Sequence, residues 1–438
     1  MTPSTIDPWP AKESRSRDRL LIIGVLISLP LVAFPRLGPL KAIDIALLVL
    51  TVRALGSNRR VVPRELFGIV AIVVSWTVIA IGLGRLGGLH QLGEWSVGLE
   101  SPRGYPFVAA FRMCTAALGS YEFIRLCCRE RAWATVAATR TLLVVSGATV
   151  ALWLAGPGRD LEGRPRGTFT ERGPLSRYLI VMVALVLFLR VQRRPPLAVF
   201  VAVGVAGLTG ALSGALLAGS FGGVFLAREV RRRLNFSSVA PAVVALAFLT
   251  ALAPVAVPLL GEKVTSLRRA QREGSGGNGR YAALLIVGPV VRSAPLTGYG
   301  TGSYIFVRDS EEFGSTLARI PHDNADVPLI ETAVDFGLVG GTAFLGLILV
   351  APFRRRNRGR GNWPWLALLG ASLFTGTAVT YLLWLAFAMA MQHGDGDGGS
   401  HARSHREPGS VPVQAGVAGM GPESTLSRAG VPTRPSGG

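Results

Sequence analysis

The sequence predicts an all-α polytopic membrane protein of about 11–12 transmembrane helices, with a large external loop before the tenth span. Three observations carry that prediction. Of the 438 residues, 49% are hydrophobic and 16% charged, whereas soluble domains carry about 25% charged residues. The apolar residues gather in runs near the length of about 20 that a bilayer crossing needs. The basic residues gather in short clusters between those runs, the pattern that orients helices in a membrane.

The elements follow in order. Residues 1–19 form a cytoplasmic N-terminal segment containing Arg15, Arg17 and Arg19. No small-x-small cleavage site follows the first apolar run, so 20–35 is read as a retained first span. Further spans are expected at 37–52, 66–84, 106–126, 136–155, 177–192, 196–211, 213–228 and 238–260, which makes nine within a 20–260 bundle. The second is short and contains Asp44. The seventh and eighth are separated by a tight Gly/Ser turn. Residues 261–328 form the large external loop, and 329–392 the C-terminal transmembrane helices, beginning with a span at 329–351. The stretch 363–391 reads either as one tilted helix or as a hairpin. Gly376 and Thr377 near its middle tolerate a break and favour the hairpin, hence twelve spans. The tail 393–438 is rich in Gly, Ser and Pro and is expected to be disordered. Its His393, His401 and His405 lack metal-ligand spacing, and no metal site is expected.

The formal net charge of +20 raises nucleic acid as a partner, but the placement of the charge argues against it. The arginines between spans fall at alternate connections: 53/59/60/64, 129/131, 190/193/194, 228/231/232/233 and 354/355/356/358/360. One topology puts all of them on the cytoplasmic side and leaves longer external loops at about 85–105, 156–176 and 261–328. Cys114, Cys127 and Cys128 have neither metal-type spacing nor an even-numbered disulfide framework and are read as structural thiols.

Arginines on the external side escape that topological explanation. The long loop carries Arg268, Arg269, Arg272, Arg280, Arg292, Arg308 and Arg319; loop 156–176 carries Arg159, Arg164, Arg166 and Arg172, with Arg177 heading the next span. Singly, such residues solvate a loop or snorkel to lipid head groups. As two clusters on one face they point to an anionic, phosphate-bearing substrate, because guanidinium binds phosphate bidentately and stays charged. His322 stands with Arg319, Asp323, Asn324 and Asp326 just before a span, and histidine is the side chain best suited to accept a proton near neutral pH. The glycines at 298, 300 and 302 imitate a dinucleotide fingerprint without its strand-then-helix context. A backbone turn packed close to substrate or to a neighbouring helix fits them better.

The combination of these motifs resembles the O-antigen ligase and O-antigen polymerase family of bacterial membrane glycosyltransferases. Gly279-Arg280, an apolar stretch, then Pro295-Leu296-Thr297-Gly298-Tyr299-Gly300-Thr301-Gly302 matches the family's order. A polar His-Asn-type motif then leads into Asp335-Phe336-Gly337-Leu338-Val339-Gly340. Upstream, 164–179 resembles the family's Gly-Thr-Phe segment entering a span, and 207–219 resembles its Thr-x-Ser-Arg-Gly turn without the arginine. Counted back from Gly337, the family's histidine position falls nearer Asp326 than His322.

The resemblance implies a multi-pass protein of the bacterial cytoplasmic membrane acting in cell-envelope polysaccharide biosynthesis (lipopolysaccharide or exopolysaccharide). Its donor would be a polyprenyl-diphosphate-linked glycan, such as one carried on undecaprenyl diphosphate. Its acceptor would be a glycan, lipid or protein hydroxyl, with no cofactor. Arg280 would stabilise the diphosphate leaving group, and His322 or Asp326 would be the base. Arg172, Arg177, Arg292, Gly298, Gly300, Gly302 and Asn324 would contact diphosphate or glycan. A transporter or flippase of lipid-linked glycan, which would show broken or charged helices and repeat symmetry, and a catalytically degenerate homologue are the alternatives.

Overall fold

The computed structural model describes residues 9–31, 41–56, 62–85, 104–159, 163–166, 169, 172–190, 196–234, 287–310, 328–356, 363–373 and 381–392. Among these the chain is helical, with one isolated bridge between Arg159 and Pro165 and no strand. The helices are α1 (Trp9–Ser28), α2 (Ala42–Gly56), α3 (Arg64–Gly82), α4 (Tyr105–Arg129), α5 (Arg131–Ala155), α6 (Arg172–Leu189), α7 (Leu197–Leu208) and α8 (Leu212–Leu234). After them come the short α9 (Tyr304–Asp309), then α10 (Pro328–Arg356), α11 (Trp363–Ser372) and α12 (Tyr381–Gln392). Three stretches are long and apolar enough to cross a membrane: Arg64–Gly82, Arg131–Ala155 and Pro328–Arg354. Shorter apolar helices include Leu197–Leu208 and Tyr381–Gln392. The expected span at 238–260, most of loop 261–328 and the tail 393–438 lie outside the described residues.

The helices track the apolar runs but extend beyond them where propensity allows. α1 starts at Trp9 rather than at residue 20, because residues 12–19 contain no Gly or Pro and continue the helix through charged side chains. It stops ahead of Pro30. The stretch 363–391 contains two helices, α11 and α12, and not one tilted helix.

Helix α12 is apolar all round, and Leu383 to Met391 are buried throughout. It packs against α4, α6, α10 and α11, as an all-apolar helix at the centre of a bundle must. Tyr381 at its start donates its hydroxyl hydrogen to the Leu29 carbonyl beyond α1, 3.0 Å away. Helices α2 and α4 approach closely through small residues. A Cβ on Gly119 would lie 2.5 Å from the Leu47 carbonyl oxygen, and Thr51 Oγ1 donates to the Thr115 carbonyl at 3.2 Å.

One end of the bundle is held by ion pairs where the start of α1 meets the ends of α2 and α4. Buried Asp18 pairs with Arg53 at 2.5 Å and with Arg129 at 3.2 Å. Buried Glu122 receives a two-pronged bond from Arg125, 2.7 Å on each prong, with Arg53 at 3.3 Å. Glu130 takes Arg19 at 3.0 Å. Arg131 donates to the carbonyls of Phe188 and Leu189, both at 3.1 Å, capping the buried C-terminal end of α6. Among the described residues, Arg19, Arg53, Arg125, Arg129 and Arg131 therefore gather at one end. Towards the opposite end Asp44 pairs with Arg112 at 3.1 Å.

Candidate functional site

At that opposite end the glycine run forms a knot with a broken helix. α10 is interrupted at Gly337, whose φ of 64° and ψ of −167° are non-helical. A break in an apolar helix frees backbone groups that lipid cannot satisfy. The turn 294–303 supplies them. Tyr299 N–H donates to the Val334 carbonyl at 3.0 Å, Gly300 N–H to the Asp335 carbonyl at 2.8 Å, and Leu338 N–H to the Pro295 carbonyl at 2.7 Å. The two backbones lie so close that a Cβ on Gly298 would stand 2.5 Å from Gly337 N, and one on Gly337 would stand 2.7 Å from Gly298 N. Both residues also hold positive φ, so glycine is required twice over at each.

Asp335 is the polar centre of the knot. Its carboxylate is buried and accepts the N–H of Gly302 at 2.7 Å, the N–H of Ser303 at 3.0 Å and the Ser303 hydroxyl at 3.1 Å. Charge-assisted bonds of this kind are the stronger class. Around the knot, Thr301 bonds Thr77 of α3 through their hydroxyls at 2.6 Å. Phe306 meets Tyr105 of α4 edge-on at 5.3 Å between centroids. Ser293 and Tyr299 share a 2.7 Å hydroxyl bond. The turn is thereby fixed to α3, α4 and α10 at once.

The predicted site residues distribute unevenly around this frame. Gly298, Gly300 and Gly302 all lie in the knot and face protein backbone or the side chains of α3 and α4. Arg292 is exposed, two residues before the turn, on a helical stretch at 287–293. Arg172 opens α6, and Arg177 is half-buried in its next turn. α12 packs against both α6 and α10. Arg280, His322, Asn324 and Asp326 lie outside the described residues. Among the remaining loop arginines, Arg159 folds back to donate to the Trp153 carbonyl at 2.9 Å and so caps α5. Sequence reasoning named Asp335 only as part of a motif. The available signal was an acidic residue beside glycine inside an otherwise apolar helix.

The upstream segments serve packing. Phe169 of the Gly-Thr-Phe stretch is buried against Tyr178 of α6, with centroids 5.4 Å apart. Thr209 closes the turn between α7 and α8, donating to the Ala206 carbonyl at 2.7 Å and accepting from Ala211 N–H at 3.3 Å.

A bundle of apolar helices, one of them broken and rebuilt around a buried carboxylate, defines a helical membrane protein. Residues 197–345, about a third of the chain, match the family model described as O-antigen ligase. The matched segment runs from α7 through the knot into α10 and stops short of the Gly-Thr-Phe stretch and α6. No curated protein matches the chain.

Proposed function

We propose that the protein is a membrane glycosyltransferase that transfers or polymerises polyprenyl-diphosphate-linked glycan onto an acceptor hydroxyl at the external face of the bacterial cytoplasmic membrane. The observation that carries this reading is the knot within the family-matched segment. It ties residues 294–303 to 334–338, and these flank the two polar stretches richest in candidate chemistry. Arg280 and Arg292 lie on the N-terminal side of the turn, and His322, Asn324 and Asp326 lead into α10. In this reading Arg280 stabilises the charge developing on the departing diphosphate, His322 or Asp326 takes the acceptor proton, and one in-line displacement inverts the anomeric carbon. Arg172 and Arg177 on α6 add positive charge at the same end. The proposal also includes twelve spans, with α11 and α12 as a hairpin and 261–328 as the external loop.

A flippase reading draws on the break in α10, because broken helices line sites in transporters. Here the groups freed by the break are taken by the turn, which leaves them unavailable to a cargo.

The test is the surface polysaccharide profile of a deletion strain complemented with wild type, Arg280→Ala, His322→Ala or Asp326→Ala. Long glycan should vanish on deletion, return with wild type and stay absent with Arg280→Ala. Whichever of the other two variants fails identifies the base. A deletion strain with an unchanged profile sinks the enzyme reading.

A further inference from the structure

We infer that a groove between α3 and α10 is a binding site for an anionic glycerophospholipid of the surrounding bilayer, with an acyl chain along the groove and the phosphate at Arg354. The groove is open to the surroundings, with a volume of about 430 Å³, and its walls are apolar, with Ile72, Ala343, Leu347 and Val350 among the lining. Glu65 and Arg354 stand together at one mouth. Both helices are among the three long and apolar enough to span a membrane, so lipid is the medium this face meets.

The size of the groove selects the occupant. From Ala343 to Arg354 the helix rises about 17 Å, close to the roughly 15 Å depth of one leaflet's hydrocarbon. That length fits one acyl chain whose head group rests at Arg354, and a polyprenyl chain would overrun it. Gly346 has open space where a side chain would stand.

The charge at the mouth selects the head group. At this end of the bundle the arginines of α1, α2, α4 and α5 are engaged: Arg19 with Glu130, Arg53 with Asp18, Arg125 with Glu122, and Arg131 with the α6 carbonyls. Arg354 and Arg64 are exposed and form no hydrogen bond or ion pair among the described residues. Glu65 has an interaction of its own within the protein, and the two guanidinium groups outnumber its single carboxylate. In sequence, Arg354 opens the run 354/355/356/358/360. Basic residues at the ends of membrane helices bind anionic lipid head groups. This end is also opposite to the knot, which separates the groove from the site of the proposed glycosyl transfer.

The experiment uses the full-length protein, delipidated in detergent and titrated with phosphatidylglycerol or phosphatidylcholine of matched chains, with bound lipid counted by native mass spectrometry. Phosphatidylglycerol should be retained in preference to phosphatidylcholine. Arg354→Gln, a change at an exposed position, should weaken phosphatidylglycerol about fivefold and leave phosphatidylcholine unchanged. Gly346→Leu should reduce retention of both by filling the groove. Equal retention of the two lipids, or phosphatidylglycerol binding that neither variant alters, overturns the proposal. So does displacement of phosphatidylglycerol by a polyprenyl phosphate at equal concentration, which would assign the groove to an isoprenoid chain.

Discussion

Buried carboxylates hold both ends of this bundle, by opposite means. At the basic end Asp18, Glu122 and Glu130 are met by guanidinium groups on long side chains from neighbouring helices. At the other end Asp335 is met by two backbone N–H groups and a serine hydroxyl. A guanidinium reaches its partner through rotatable bonds, so the surrounding backbone can vary. A backbone N–H points where the chain points, so the carboxylate dictates the path of the turn. The glycines that permit that path then become obligatory. The basic end is a tolerant clasp and the knot is a fixed one, and the family match covers the knot.

The comparison breaks most sharply at the fixed clasp. Gly298→Val forces a side chain into the backbone of α10 at a positive φ, and should cost about 4 kcal/mol or more, enough to abolish a monodisperse peak in detergent. Asp335→Asn keeps the shape but sets an amide NH₂ against N–H donors, and a loss of about 2–3 kcal/mol is expected in thermal unfolding. The matching change at the tolerant clasp, Arg53→Ala, leaves Asp18 to Arg129 and Glu122 to Arg125, so a smaller loss of about 1–2 kcal/mol should be measured. If Arg53→Ala proves as damaging as Asp335→Asn, the distinction between the ends fails. Thr77→Val removes one hydroxyl bond to Thr301 and should cost about 1 kcal/mol, readable as faster proteolysis within 294–310. Smallest of all, Arg19→Ala at a half-exposed pair should shift the melting temperature by a degree or two at most, and less still in high salt.

Much of the helical layout was legible because a bilayer crossing leaves a long apolar signature. The error at α1 has a local cause. Hydropathy registers only the apolar half of α1, while Lys12 to Arg19 are helical but charged, with Asp18 and Arg19 held by ion pairs. The stretch 363–391, read as a hairpin in preference to one tilted helix, does hold two helices, because Gly376 and Thr377 marked where its apolar run tolerates a break. The candidate site was legible in part. The glycine run and Asp335 were visible as motifs, but their pairing was hidden because the donors are backbone N–H groups 32 and 33 residues away. Such groups exist at every non-proline position and leave no trace in side-chain identity. Arg159 shows the converse: a loop arginine with the right look for anion binding serves to cap a helix.

The position of α12 sets the order in which the molecule is completed. Its partners α4 and α6 and the carbonyl of Leu29 are synthesised early, yet about 250 residues separate the end of α4 from Tyr381, so at about 5–20 residues per second the seam between them stays open for about 10–50 s. The earlier helices then wait for a plug. A chain that stops before Tyr381 leaves that seam unfilled.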